Sequence, residues 1–309
     1  MSSDADRVIA VDVGGTRIKA ASLDAGGRVL CRVERHTPVS SGPSAVVDAV
    51  RNVVGELMLP QVVAVGVVVP GSVDVASGTA HYSANIGWRD VPLRDLLTAD
   101  LGVPVTIEHD VRAAGVAERT LGRARDVADC LLVIIGTGIA SVVICGGVAQ
   151  RGAIDLAGEV GHIPVYPDGD LCACGQRGCL ETYASAAAIM RRYVAAGGAD
   201  MNTADIAAAR GYDPVADRVW REATDALGIA LVSYTMLLDP TLIVLGGGLA
   251  AAGAALLVPV QTVLAQRLAW RTAPRVELSP IASRAGQLGA ALLAWQVAGR
   301  TDFSTWTVT

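Results

Sequence analysis

Two stretches of the chain share one pattern: an apolar run, a turn of glycine and threonine, and a second apolar run. The first is VIAVDVGGTRIKAASLD, Val8 to Asp24, and the second begins LLVIIGTGIASVVICGGVAQ at Leu131. In each, two strand-length apolar runs are joined by residues that reverse the chain, so an antiparallel pair is expected. RVLCRVERHTP extends the first pair into a three-stranded meander, and the Gly-Gly that follows VVIC adds a hairpin to the second. A pattern that returns in this way implies two related halves.

Between and after these meanders, helical and strand spacings alternate. From Pro43 to Met58, Val46, Val47, Val50, Val53, Val54 and Leu57 recur on one helical face, and Val62 to Val69 is a continuous apolar run suited to a strand buried on both sides. Later come a helix over Asp213 to Leu238, the strand TLIVL, a helix near Leu256 to Leu268, the strand RVELSP and a final helix from Ala285. The expected fold class is therefore α/β with two lobes facing each other across a cleft, both glycine turns at its opening. The expected division is 1–112, with the segment 285–309 packing back on it, and 113–284.

With 309 residues, a formal charge of −5 and 18% charged residues, the composition suits a globular protein with a large core and gives nucleic acid no basic face to bind. MSSDADRVIA is acidic where a secretory signal would be basic and then apolar, so a cytoplasmic, reducing setting is expected and disulfides are not. Two uncharged stretches, Cys130 to Gln150 and Pro240 to Gln266, are broken by glycines and by Pro259 and read as core elements, not membrane spans.

Chemistry is suggested at five places. At Gly14-Gly15-Thr16 the missing Cβ atoms let backbone N–H groups converge on phosphate oxygens, and Asp12 just before would suit a magnesium ion bridging to them. One such turn is as easily an ordinary hairpin; Gly136-Thr137-Gly138 and a third cluster, Gly246, Gly247 and Gly248, favour a nucleotide cradle. Asp110, in PVTIEHDVRAAGVAE, stands where a strand ends and a helix begins, a place for a helix cap or for a catalytic base. Finally, Cys172, Cys174 and Cys179 in CACGQRGC, with His162 ten residues before the first, offer three thiolates and an imidazole, a closed tetrahedral set for a structural Zn²⁺. Cys31, Cys130 and Cys145 lie in apolar runs and are expected to be small core residues.

Taken in order, DVGGT, ANIGW, EHDVRAAGVAE, IGTG, GEVGH, CACGQRGCLE and VLGGG resemble the ROK family of sugar kinases and related repressors, over about Val8 to Ala298. The resemblance implies the two-lobed actin and hexokinase type of fold, ATP with Mg²⁺, and transfer of the γ-phosphoryl group to a hexose hydroxyl, commonly that on C6. It implies that Asp110 is the base, that Glu159, His162 and Glu181 hold the sugar, and that Gly71 and Asn85 lie near it. His162 would then bind zinc through one ring nitrogen and a hydroxyl through the other. Homodimers are common in the family.

Two positions depart from the family pattern. His109 stands where an asparagine normally contacts the sugar, by resemblance at its C3 hydroxyl, which raises an amino sugar such as kanosamine (3-amino-3-deoxyglucose) beside glucose. Ala140-Ser141 follows GTGI where glycines are usual, which bears on close backbone approach at that turn. A winged-helix repressor is not expected with the first strand at about Val8; a silent sugar sensor would leave Asp110 and the phosphate turns without use.

Overall fold

The computed structural model describes residues 5–83 and 85–306. The chain divides into two compact units. The first takes the chain up to Leu121, the short piece Ala153–Asp155 and everything from Arg284 onward; the second takes Gly122–Gly152 and Leu156–Ser283.

In the first unit the elements run β1 (Arg7–Val13), β2 (Arg17–Asp24), β3 (Val29–His36), α1 (Pro43–Leu57), β4 (Val62–Val69), β5 (Ser72–Asp74), β6 (Thr79–Ser83), β7 (Trp88–Val91), α2 (Leu93–Leu101), β8 (Val105–His109) and α3 (Asp110–Leu121). The second contains β9 (Cys130–Ile135), β10 (Ile139–Cys145), β11 (Val148–Ala149), α4 (Glu181–Ala184), α5 (Ala186–Ala195), α6 (Thr203–Ala209), α7 (Pro214–Leu238), β12 (Leu242–Gly246), α8 (Ala254–Arg267) and β13 (Arg275–Leu278). The chain then returns to the first unit as α9 (Ala285–Val297).

The repetition read from the glycine turns is present in the sheets. Beside the three-stranded sheet β5-β6-β7, one five-stranded sheet is ordered β3-β2-β1-β4-β8 and the other β11-β10-β9-β12-β13. In both, the first strand is antiparallel to its hairpin partner and parallel to the strand that follows by crossover. A helical or longer connection is what a parallel pair requires, and α1 and α7 lie within those connections. All six apolar positions of α1 are buried in the first core, and β4 is buried along nearly its whole length.

Small residues set how closely the helices approach. A Cβ at Gly66 of β4 would lie 2.1 Å from the Ala290 carbonyl oxygen, and one at Gly289 would lie 2.0 Å from that of Ala113. Thus α9 packs at backbone distance on both β4 and α3. That contact keeps the whole of α3 with the first unit, so the chain passes to the second unit after Leu121, whereas the division expected from sequence at 112 falls inside the helix.

Pro240 to Gln266 folds as β12, a short 3-10 turn at Gly248–Ala252 and α8. Among the described residues no helix is long and apolar enough to cross a membrane. Pro259 sits within α8 and cannot bond the Ala255 carbonyl one turn back. That oxygen accepts instead from Trp220 Nε1 at 2.9 Å and Arg210 Nη1 at 3.3 Å, which is why the helix tolerates proline. Of the three cysteines expected in the core, Cys130 is buried and Cys145 half-buried, but Cys31 is exposed. It lies on β3, the edge strand of its sheet, most of whose residues face solvent.

Candidate active site

Asp110 is the first residue of α3, directly after β8. Its Oδ1 accepts from the Val111 N–H at 2.7 Å, so strand end and helix start both hold the carboxylate. The His109 ring beside it is 13% exposed, with Nδ1 3.4 Å from Asp110 Oδ1 but lacking hydrogen-bond geometry to any partner among the described residues. Burial, and then the charge of Arg112, lower the His109 pKa to about 4, so the imidazole is neutral near pH 7. Arg112 is itself anchored: Nε meets Glu108 Oε1 at 2.9 Å and Nη1 donates to the Asp155 carbonyl at 2.9 Å. Glu108 also accepts from the His109 backbone N–H. Sequence reasoning passed over this buried pair, although the i,i+4 spacing of Glu108 and Arg112 was the available signal.

Asp12, on β1, pairs across the hairpin with Lys19. Burial raises its pKa and Lys19 opposes the rise, so this carboxylate gains most from a cation that supplies compensating charge. The adjoining turn is closed by Gly14 N–H donating to the Arg17 carbonyl at 2.9 Å, while Thr37 braces it by donating to the carbonyls of Gly14 and Thr16. A Cβ at Gly15 would come 3.3 Å from Asn85, so Asp12, Gly14, Gly15, Thr16 and Asn85 are gathered in one part of the first unit. Gly71 has a backbone reason of its own: φ is +100°, and a Cβ would lie 2.1 Å from the Tyr82 carbonyl oxygen.

In the second unit, GEVGH runs flush along β10. The Ser141 N–H and hydroxyl both donate to the Gly158 carbonyl at 2.8 Å. A Cβ at Gly158, where φ is +99°, would lie 2.0 Å from the Ser141 oxygen, and one at Gly161 would lie 2.2 Å from that of Ile139. Gly158 is thus the glycine that permits this backbone contact with Ser141. The two glycines flank Glu159 and set the tight turn Val160–His162 that places the histidine. Gly158→Ala is expected to destabilise the protein by about 2 kcal/mol or more, through left-handed strain plus collision; the urea midpoint measures it, and an unchanged midpoint would refute the steric account.

Glu181, the first residue of α4, accepts from the Ile139 N–H through Oε2 at 2.8 Å, and a Cβ at Gly138 would lie 2.6 Å from that oxygen. The Thr137-Gly138 turn and Glu181 are thus neighbours. At the third glycine cluster the residues divide. Cβ atoms at Gly246 and Gly247 would collide with Ile134 and with the Ile135 backbone, whereas nothing lies within 4 Å of one at Gly248. Packing accounts for the first two, and Gly248 is the one that leaves room for a ligand.

His162, Cys172, Cys174 and Cys179 come together, with their ligand atoms all within 4.8 Å of one another. His162 Nδ1 is 3.8 Å from Cys172 Sγ, and Cys174 Sγ is 3.7 Å from Cys179 Sγ. A tetrahedral zinc with bonds of about 2.3 Å to sulfur separates its sulfurs by about 3.8 Å, so the donor set fits that ion. Burial, followed by the neighbouring thiols, pushes Cys179 up to about 12, and burial raises Cys172 as well; a divalent cation supplies the charge that such crowded thiols need to ionise. The loop is shaped for this. Gly178, at φ +71°, passes so close to Tyr166 that a Cβ would lie 1.5 Å from its carbonyl oxygen, and Leu171 bridges to Arg177 across the turn.

Comparison with known proteins identifies the family. The chain matches the ROK family over residues 8–297. It is 33% identical over 308 residues to a glucokinase of Streptomyces coelicolor, covering 93% of this chain and 96% of that one. Among solved structures it resembles a ROK family glucokinase from Streptomyces griseus in complex with glucose and AMPPNP (TM-score 0.83, 34% identity, 94% of this chain and 99% of that one). It also resembles the ROK hexokinase of Thermus thermophilus (TM-score 0.76, 33% identity, 95% and 99%). These neighbours share the two-unit actin-like sugar-kinase fold, and with a family match from residue 8 to residue 297 the chain belongs to the ROK family.

Proposed function

We propose that this sugar kinase transfers the γ-phosphoryl group of ATP to the 6-hydroxyl of a glucose-like sugar, with Asp110 as the base. The observation that carries the reading is the setting of Asp110: its Oδ1 is held by the Val111 N–H at the junction of β8 and α3. A carboxylate held this way keeps its aim while it takes a proton from a hydroxyl, and a positioned base is worth about 10²- to 10⁴-fold. The glucokinase relatives, at about one-third identity over nearly the whole chain, support glucose as the acceptor and ATP as the donor.

Candidate groups are present in each unit taken by itself. From the first, the Gly14–Thr16 turn offers backbone N–H groups to phosphate, and Asp12 would hold magnesium, which when bound neutralises charge on the phosphates. From the second, the Thr137-Gly138 turn and Gly248 would border the nucleotide, and Glu159, His162 and Glu181 would fix sugar hydroxyls. Zinc held by His162 and the three cysteines would be structural: four protein ligands leave no place for a reactive water. Since Nδ1 of His162 is the nitrogen near the thiols, Nε2 is the one left to bind a hydroxyl, its protonation set by the metal on the other side.

His109 decides which sugar. A neutral, buried imidazole can accept a hydrogen bond from the ammonium of kanosamine as well as exchange bonds with a hydroxyl, and a pocket built around one polar group discriminates strongly. We therefore infer that glucose and kanosamine are the two leading substrates, the relatives supporting glucose and the imidazole's bonding capacity suiting either. The test is ATP-dependent phosphorylation of each sugar by the purified protein, with the phosphorylated position read by NMR. A kcat/KM for glucose exceeding that for kanosamine by about tenfold would end the amino-sugar reading, and no turnover of any hexose would end the kinase reading.

A further inference from the structure

We propose that the first unit carries a second ligand site, a cavity for an organic phosphate bounded by the β2–β3 hairpin, the start of α9 and Trp306. The cavity measures about 400 Å³, a size that admits a small metabolite. Arg28, Arg32, Arg284 and Gln287 line it, so its polar part is cationic in a protein whose net charge is −5. Arg28 is ion-paired, its Nε 3.0 Å from Asp24 Oδ2. Arg32, exposed on β3, has no hydrogen bond or ion pair among the described residues. Guanidinium groups match phosphate by paired N–H donors, which no other common side chain does as well.

The remaining lining is apolar and firmly built. The Trp306 indole packs on Gly27, where φ is +81° and a Cβ would come 2.4 Å from the ring, and its Nε1 donates to the Ala25 carbonyl at 2.9 Å. Phe303 meets the same indole edge to face. Leu121 and Leu288 complete that part of the wall. An aromatic face and three leucines, Leu23, Leu121 and Leu288, beside the Arg32 guanidinium suit a ring carrying a phosphate better than they suit a bare anion.

The cavity is distinct from the phosphate turn. Strand register sets Asp12 against Lys19 but Val8 against Leu23, and Leu23 lines the cavity; that offset along β2 amounts to about 13 Å. Leu121 and Arg284, both in the lining, are also the residues at which the chain leaves the first unit and re-enters it. The inference is independent of the sugar preference and of the role given to Asp110.

Two sources share this chemistry, a sugar phosphate and a nucleoside monophosphate. Isothermal titration of the full chain with glucose 6-phosphate, AMP and inorganic phosphate, each alone, separates them. One of the two organic phosphates should show a binding event that Arg32→Glu weakens about tenfold or more, as expected on replacing a charge-assisted donor by a like charge. Arg32→Gln, which removes the charge alone, should weaken the same event, with the KM for ATP and sugar and the thermal midpoint unchanged in both variants. Whichever probe shows that dependence identifies the source. Absence of any Arg32-dependent event, or inorganic phosphate binding as tightly as both organic probes, overturns the proposal.

Discussion

Asp110→Asn should lower kcat by about 10²- to 10⁴-fold while leaving sugar affinity within a few-fold of wild type. The amide is nearly isosteric with the carboxylate and can still accept the Val111 N–H bond, so the β8–α3 junction should keep its geometry. What the amide cannot do is take a proton. The loss should therefore fall on turnover and spare binding, the pattern of an interaction made only in the transition state. Steady-state kinetics with equilibrium binding of the sugar decide the matter. A kcat close to wild type would remove Asp110 from the role of base, whatever happened to KM.

The second large effect concerns the cysteine loop. Elemental analysis should find about one zinc per chain, and removing it with a chelator, or replacing Cys179 by Ser, should weaken sugar binding by about 10- to 100-fold, the range seen when support of a metal site is lost. Cys179 is fully buried, and its Sγ also meets the His162 carbonyl at 3.6 Å. Without the ion, the His162 ring loses the group that fixes its rotation and tautomer. Metal-free protein that retained both its fold and its sugar affinity would show that the cluster does not support the sugar contacts.

How much of this could be read beforehand varied with the range of the interaction. The strand at Val62–Val69 and the helix beginning at Pro43 lie where their apolar spacing put them, since burial on one face or two is written in consecutive residues. The duplicated meander is as clear in the sheet orders as in the two glycine turns. At the candidate site, the grouping of His162 with the three cysteines was legible from spacing that has few other uses. Less was legible where partners are distant. Nothing near Pro259 announces that Trp220 and Arg210 will satisfy the carbonyl it abandons. Glu181 gave no sign that it would accept from Ile139 at the glycine turn. Cys31 looked like core because its neighbours are apolar, and only the position of β3 at the sheet edge exposes it.

The amino-acid sequence by itself determined the duplicated meander, the helix from Pro43 and the strand after it, the ROK motifs and the soft-ligand set, because each depends on side-chain period, turn chemistry or donor type within a short stretch; the three strands β5, β6 and β7, which follow β4 where helix and strand were expected to alternate, were not among them. Tertiary structure alone decided that α3 belongs entirely to the first unit, that Gly158 and Ser141 share a backbone contact, that Nδ1 of His162 faces the thiols, and that Arg112 and burial hold His109 neutral. Those outcomes depend on close packing and on the low polarity of the interior. Both arise only when residues far apart in the chain have displaced water from between them.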